Sequence, residues 1–161
     1  MSLDKALIGA AGEHLVLSRL LARGLLASQA PRGTRKADIL VNPLDGGQPR
    51  LIQVKTRSIP SRNLSWAMNE KNENQSEPDL FYCLVDISKP HPDVYVVPSQ
   101  VVSEILKEGH KYFLSTTGRN GQKHNDNSMR SLASDYKDRL KSAPKNWLDE
   151  FLEAWNLLDK T

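Results

Sequence analysis

Two short apolar segments separated by a tight turn constrain the fold of this chain more than any other feature. Residues 37–41 read ADILV and residues 50–56 read RLIQVKT, with NPLDGGQP between them. Segments rich in β-branched residues around Asn-Pro and Asp-Gly turn signals predict an antiparallel pair of strands. We expect the centre of this hairpin at Asp45 and Gly46.

The alternation of side chains along these strands determines which polar groups lie together. A hairpin with this centre places Asp38 opposite Gln53, within a margin of one or two residues. Successive residues of a strand point to opposite faces of the sheet. Gln53 and Lys55 therefore share one face, and Ile52 and Val54 share the other.

The residues before the hairpin predict an amphipathic helix from Asp4 to about Arg23. Apolar residues recur there at intervals of three and four, and Gly24 follows as a helix stop. Glu13 lies in the middle of an apolar stripe that otherwise contains Ala6, Ala10, Leu17 and Leu20. A carboxylate on such a face is costly unless it meets a cation or a hydrogen-bond donor. Glu13 is therefore a candidate functional residue, and a half-buried paired acid is the structural alternative.

The rest of the chain predicts further strands and helices around one sheet. DLFYCLVDI and VYVVP indicate two more strands, and helices are expected over 100–108 and, from the spacing of its Trp, Phe and Leu residues, over 146–159. A helix over 129–141 is a weaker expectation. The polar stretch 58–79 around Trp66 predicts a long surface connection. We therefore predict an α/β fold with a mixed sheet of four or five strands flanked by helices.

Length and composition indicate one ordinary globular domain. The chain has 161 residues, of which 39% are hydrophobic and 25% charged, so we expect a single domain over 1–161. No apolar run approaches the roughly 20 residues that span a bilayer, and the first residues lack the pattern of a signal peptide. An intracellular, cytoplasmic protein without a membrane partner is expected. The lone cysteine, Cys83, lies in an apolar strand and is expected to pack in the core.

Charge is distributed unevenly along the chain. Residues 1–62 contain ten Lys or Arg and four Asp or Glu, a net charge of +6, whereas the remaining residues have a net charge of −3. A basic surface attracts a polyanion such as nucleic acid. The alternative is an ordinary solvated charged surface.

Four side chains form a set suited to phosphodiester hydrolysis, which needs a nucleophilic water and relief of negative charge, and which a divalent ion with oxygen ligands can support. Asp38 and Glu13 could bind such an ion, the latter directly or through water. The Gln53 side chain and the Val54 backbone could each add a carbonyl oxygen. Lys55 could orient the water and stabilise the developing charge. Taken singly, each residue has a structural alternative: a solubilising lysine, a paired acid, or an aspartate that caps a turn.

These residues carry a resemblance to a known superfamily. GAAGEHLVLSRLLARG, ADILV and LIQVKTR, in this order and spacing, resemble the acidic helix, the Asp strand and the (D/E/Q)XK strand of PD-(D/E)XK nucleases. The resemblance is clearest over residues 5–57. It implies a restriction-endonuclease-like fold, dependence on Mg²⁺ with Mn²⁺ as a substitute, and DNA cleavage at Glu13, Asp38, Gln53 and Lys55.

One departure from that pattern concerns the metal site. The usual acidic residue before X-Lys is Gln53 here, which removes one formal negative charge, and Glu13 on the first helix looks like compensation. A member of the fold that binds nucleic acid without cleavage is therefore an alternative. A protein-interaction module that uses the face of Trp147 and Trp155 is another.

Further residues are candidate contacts to DNA. The basic loop PRGTRK and the residues after Lys55 could touch phosphates, and an aromatic ring could stack on a base. The candidates are Arg35, Lys36, Arg57 and Trp66. Since each active site of a small nuclease cuts one strand, a homodimer or higher homo-oligomer is also expected.

Overall fold

The computed structural model describes residues 4–34, 36–44 and 46–159. In chain order, these residues form α1 (Lys5–Ala22), β1 (Leu26–Gln29), β2 (Ile39–Asn42), β3 (Arg50–Arg57), β4 (Ser65–Asn69), α2 (Glu70–Glu73), β5 (Leu80–Asp86), β6 (Asp93–Pro98), α3 (Ser99–Ser115), β7 (Met129–Ala133) and two 3-10 turns at Asp149–Phe151 and Trp155–Leu157. Within the described ranges, no helix is long and apolar enough to cross a membrane.

Five strands form the central sheet, in the spatial order β1, β2, β3, β5, β6. β3 and β5 are parallel, and the other neighbouring pairs are antiparallel. A parallel pair needs a long crossover connection, and here that connection contains β4 and α2. β4 pairs with β7 in a separate two-stranded sheet. The five-stranded sheet is thus mixed and flanked by helices in a single domain, which confirms the predicted fold class.

The predicted hairpin consists of β2 and β3. Ile39 pairs with Ile52, and Val41 pairs with Arg50. Asp45, at the expected centre, lies outside the described residues. Gly46 has a φ of +79°, a conformation that glycine adopts without steric cost and that suits a tight turn.

The first helix follows its sequence prediction closely. The Asp4 side chain accepts a hydrogen bond from the Ala6 backbone N–H at 2.7 Å and so caps the helix. Gly24 follows the last turn with a φ of +78°, which is the left-handed conformation that commonly terminates a helix.

A glycine lets α1 approach the sheet closely. Gly12, Val16 and Leu20 are the buried positions of α1. A Cβ atom on Gly12 would stand 1.9 Å from Oγ1 of Thr56 on β3. A larger residue therefore cannot occupy this point without a shift of the helix, and the contact places the next residue, Glu13, beside β3.

Apolar side chains form one cluster on each face of the sheet. The cluster under α1 includes Val16, Ile52 and Cys83. The cluster on the other face, under α3 and β4, includes Trp66 and Tyr82. β5 is buried along its whole length and contributes to both. Cys83 is fully buried, which confirms its expected packing role.

The connection from 58 to 79 is not the surface segment that its polarity predicted. It contains β4 and α2, and Trp66 lies in β4 with 1% of its surface exposed. The Trp66 indole N–H donates a hydrogen bond to the carbonyl of Val85 at 3.0 Å. Burial alternates along β4 because Trp66 and Met68 point into the core while the residues between and beside them are exposed.

The C-terminal part of the chain also differs from prediction. The helix expected over 100–108 is longer, from Ser99 to Ser115, and the helix expected over 129–141 is wrong because β7 begins there. The C-terminal helix predicted over 146–159 is wrong as well. Two 3-10 turns replace it, separated by Glu153, which has a φ of +51° and donates its N–H to the carbonyl of Val94 on β6 at 2.8 Å. The apolar residues of this segment still pack inward, but not from one helix face.

Candidate active site

Asp38 lies where the pairing of β2 with β3 ends. Its N–H donates to the carbonyl of Ile52 at 2.8 Å, and its Oδ2 accepts a hydrogen bond from the Val54 N–H at 2.7 Å. These two bonds bracket Gln53, so the predicted register holds within its margin. Asp38 bonds to Ile52 through its N–H, and the next residue, Ile39, is also paired with Ile52. Two consecutive residues opposite one partner form a β-bulge, which changes the direction of a side chain.

The edge of β3 beyond Asp38 carries the other predicted groups. Gln53 pairs with Tyr82 and Lys55 with Leu84 on β5, so both face the α3 side of the sheet. Val54 points its side chain toward the α1 side. Its N–H points to Asp38, and a strand residue directs its C=O to the same neighbour as its N–H. The Val54 carbonyl therefore points toward Asp38.

Gln53 provides the clearest sign of a ligand site. Its Oε1 atom is buried and has no hydrogen-bond partner among the described residues. Buried polar atoms nearly always have a partner, because an unpaired one costs about 1–3 kcal/mol. An amide oxygen is a good ligand for a hard divalent cation, so the donor set at this edge fits such an ion.

Glu13 reaches the same edge from the helix side. Burial raises the pKa of its carboxyl, the nearby Asp38 carboxylate raises it further, and His14 opposes the shift. The Asp38 carboxylate thus disfavours the charged form of Glu13. Such repulsion is expected where acids are gathered to share a cation.

Lys55 lies on the α3 side of the sheet, opposite to the α1 side from which Glu13 approaches. Burial lowers the pKa of its ammonium group, and the Asp38 carboxylate partly opposes that shift. A lysine with a lowered pKa exchanges a proton more readily near neutral pH than a free lysine. The edge of β3 therefore combines two carboxylates, a free amide oxygen and an ammonium group.

The predicted DNA contacts have different positions. Arg35 lies outside the described residues. Lys36 is half exposed and forms an ion pair with Glu77. Arg57 is directed inward, with Nη1 2.8 Å from Oδ2 of the fully buried Asp86, which favours a structural role. Trp66 is wrong as a stacking residue because its ring is buried in the core.

Sequence reasoning missed Gly12 and set aside Glu77, one of four acidic residues in the polar stretch before β5 that could have supplied a further acid. Nothing in the sequence around Gly12 indicated that a glycine is needed there. Only the close approach of α1 to Thr56 shows the reason. Glu77 belongs to a stretch that its spacing marked as exposed and polar. The structure ties its backbone to Ser99, whose hydroxyl accepts from the Glu77 N–H at 2.9 Å and donates to the Glu77 carbonyl at 2.7 Å.

Comparison with known proteins identifies the architecture. Neither a protein-family model nor a curated protein sequence matches the chain. The solved structure of the bacterial homing endonuclease I-Ssp6803I is 15% identical, with a TM-score of 0.59, over 98% of this chain and 95% of that one. The Holliday junction resolvase Hjc of Archaeoglobus fulgidus is 15% identical, with a TM-score of 0.53, over 95% of this chain and 97% of its own.

This chain has the restriction-endonuclease-like fold. The likeness spans nearly all of both neighbours, so the shared fold covers nearly the whole chain. The predicted fold class is thus confirmed, and the four candidate residues Glu13, Asp38, Gln53 and Lys55 lie on α1, directly before β2 and on β3 of this fold.

Proposed function

We propose that this protein is a metal-dependent endonuclease that hydrolyses DNA phosphodiester bonds. The observation that carries the proposal is the hydrogen bond from the Val54 N–H to Asp38, which places this carboxylate beside Gln53, whose buried side-chain oxygen has no partner among the described residues, and Lys55. Both solved structures that resemble the chain are those of DNA-processing nucleases by name. The net charge of +6 on residues 1–62 supports DNA as the partner.

The oxygen donors at the edge of β3 would hold the cofactor. Asp38, Glu13, the Gln53 side chain and the Val54 carbonyl would bind Mg²⁺, with Mn²⁺ as a substitute. When bound, such an ion neutralises phosphate charge and makes a bound water more acidic. Asp38 is held by the Val54 N–H, so its carboxylate keeps one orientation before substrate arrives.

Lys55 would act on the water and the phosphate. Its ammonium group is partly desolvated, and an interaction with a charged oxygen is stronger in such surroundings than in water. Lys55 would donate a hydrogen bond to the attacking water and stabilise the negative charge that develops on the phosphate. Arg35 and Lys36, from the loop before Asp38, would contact neighbouring phosphates.

Nicking of supercoiled plasmid tests this function. The native chain is compared with Asp38→Ala and Lys55→Ala in Mg²⁺ and in Mn²⁺, and each substitution is expected to lower the rate at least a hundredfold. Glu104→Ala and Lys111→Ala, both exposed on α3, are matched controls that should nick normally. Equal nicking by all five proteins, or none by the folded native chain, would contradict the proposal.

Nucleic-acid binding without cleavage is the second candidate. It is favoured by Gln53, which replaces a charged ligand by a neutral one. A folded protein that binds duplex DNA in a salt-dependent manner but neither binds Mn²⁺ nor nicks plasmid would establish it. The interaction module based on Trp147 and Trp155 loses its support, because each ring is only 5% exposed.

We also propose that the protein acts on duplexes as a homodimer or a higher homo-oligomer. One site cuts one strand, so a symmetric pair of sites can address both strands of a duplex. Sedimentation equilibrium with and without duplex DNA distinguishes this assembly from a monomer.

A further inference from the structure

β1 is an open edge of the central sheet. The sheet ends at β1 on one side and at β6 on the other. The β6 edge is covered by the C-terminal segment, because Leu152 forms a β-bridge with Tyr95. Over the ranges that the structure describes, no strand or loop pairs with the outer side of β1. An edge of this kind can pair with a strand of another chain.

The outward backbone groups of β1 belong to Ala27 and Gln29. The Ala30 N–H donates to the carbonyl of Asp38, on the β2 side, at 2.8 Å. Along an antiparallel strand, residues that bond to one neighbour alternate with residues that face away from it. Ser28 therefore bonds to β2 as Ala30 does. The N–H and C=O groups of Ala27 and Gln29 point to the open side.

β1 lacks the features with which proteins usually protect such an edge. Charged side chains and prolines on an edge strand prevent its pairing with another chain. The strand Leu26–Gln29 reads LASQ and contains neither, although 25% of the residues of the chain are charged. Leu26 is 54% exposed, on the face of the sheet opposite to the buried Ala27. The edge is therefore suited to association.

We propose that a second copy of this chain binds at this edge, with the two β1 strands antiparallel across a two-fold axis at Ser28. This register pairs Ala27 of each copy with Gln29 of the other, so that the outward groups of both residues form hydrogen bonds. The inference rests on the proposed function for its purpose, the cleavage of one strand of a duplex by each copy, and it names the surface that joins the copies.

The side chains beside the strand complement each other in this register. Leu26 of one copy lies opposite Ala30 of the other, and Leu25 lies opposite the exposed Pro31. Pro31 thus arrives at the mouth of a cleft of about 530 Å³ whose apolar lining residues are Leu25, Leu26, Val41, Pro43, Leu44 and Leu158. Each copy gives one proline and receives the other, as a two-fold interface requires. No charged side chains face each other across β1.

The surface suits a reversible dimer. A standard interface buries about 800 Å² on each partner, and β1 supplies only four residues. The exposed Leu26 and Leu44 and the cleft beside them add apolar area. We expect a dissociation constant on the order of micromolar for this dimer.

The same register places the two candidate active sites for one duplex. A two-fold axis perpendicular to the joined sheet leaves the α1 helices of both copies on the same face. Asp38 lies opposite Ala30, two residues along the strand from Ser28, and one strand farther from the axis. With strands about 4.8 Å apart and a rise of about 3.4 Å per residue, the two Asp38 backbones lie about 20 Å apart. Sites at this separation can each reach one backbone of a duplex, whose major groove is about 12 Å wide.

Sedimentation equilibrium of the full chain tests the surface. Leu26→Lys places a charge against Ala30 of the other copy and should weaken self-association about tenfold or more. Leu7→Lys makes the same change on α1, at a residue that is 64% exposed, and should associate as the native chain does. A native chain that stays monomeric with and without duplex DNA, or equal association of the two variants, would overturn the inference.

A disulfide cross-link tests the register. The two Ser28 residues face each other at a non-hydrogen-bonded position, where Cα atoms are about 4.5 Å apart, within the range of a disulfide. Ser28→Cys oxidised with diamide should give a covalent dimer on a non-reducing gel. Ser65→Cys, exposed on β4, should not, and Cys83 is fully buried. Equal cross-linking of both variants, or none at concentrations at which the native chain is dimeric, would refute this register.

The outcomes separate this inference from the function on which it rests. In plasmid cleavage, Leu26→Lys should give less linear product relative to nicked product than Leu7→Lys. A monomeric native chain that nicks plasmid would remove the interface and leave the nuclease. A chain that cross-links through Ser28→Cys but does not nick in its native form would keep the interface and remove the nuclease. Circular dichroism establishes that each variant is folded, and the sedimentation of the native chain decides should a variant fail to fold.

Discussion

Replacement of Gly12 by alanine tests how α1 positions Glu13. The added Cβ would lie 1.9 Å from Oγ1, 2.9 Å from Cβ and 3.0 Å from Cγ2 of Thr56. All three atoms belong to the short, β-branched side chain of Thr56. Such a side chain cannot swing aside, so the backbone of α1 or β3 would have to move. Overpacking of this kind costs about 1–3 kcal/mol, whereas alanine gains about 1 kcal/mol over glycine in a helix.

The clash should prevail over the gain in helix propensity. We expect Gly12→Ala to lower the free energy of unfolding by up to about 2 kcal/mol in urea denaturation followed by circular dichroism. The displaced helix should also carry Glu13 away from Asp38, so nicking and Mn²⁺ binding should fall under conditions in which the variant is folded.

Gly9 offers a matched control in the same helix. A Cβ at Gly9 meets nothing within 4 Å, so Gly9→Ala should stabilise the protein by about 0.5–1 kcal/mol. Thr56→Ala should recover most of the stability that Gly12→Ala loses, because it removes two of the three crowded atoms. A Gly12→Ala variant as stable and as active as Gly9→Ala would refute the idea that this contact sets the position of Glu13.

Three further substitutions have defined outcomes. Asp86→Ala leaves the nearly buried Arg57 without its carboxylate partner and should destabilise the protein by about 3–5 kcal/mol in urea denaturation. Tyr82→Phe removes the hydroxyl that accepts from the Asn72 amide at 2.9 Å and should cost about 1–3 kcal/mol, measured in the same way. Burial raises the pKa of Glu13 in the folded protein. The protonated Glu13 therefore favours the folded state at low pH, and this stabilisation is lost as pH rises through that pKa. Glu13→Gln should therefore raise the melting temperature of the metal-free protein at about pH 7 but not at about pH 4, and should abolish metal-dependent nicking.

The part of the fold that follows from local pattern was predictable. α1 and the hairpin of β2 and β3 were predicted because a capping Asp4, a terminating Gly24 and alternating apolar residues act over a few neighbouring positions. The same local signals gave the position of Asp38 beside Gln53. The four proposed catalytic residues lie in these two elements or, for Asp38, directly before β2, so they could be proposed together from local signals and the family resemblance.

The elements that depend on distant partners were not predictable. β4 is held by two buried residues, Trp66 and Met68, and by its pairing with β7, which lies some 60 residues later in the chain. The C-terminal segment has the spacing of a helix, but the backbone of Glu153 bonds to Val94 on the sheet edge instead. In both places tertiary contacts override the local preference.

The buried polar atoms without hydrogen-bond partners lie on two neighbouring strands of the central sheet. Among the described residues, the buried side-chain atoms without a hydrogen-bond partner belong to Gln53, Thr56, Arg57 and Asp86, all on the adjacent parallel strands β3 and β5. Arg57 and Asp86 compensate each other as a close ion pair. Gln53 and Thr56 have no such compensation, and an unpaired buried oxygen of this kind costs about 1–3 kcal/mol. The unpaired oxygen of Gln53 is what its proposed role as a metal ligand requires.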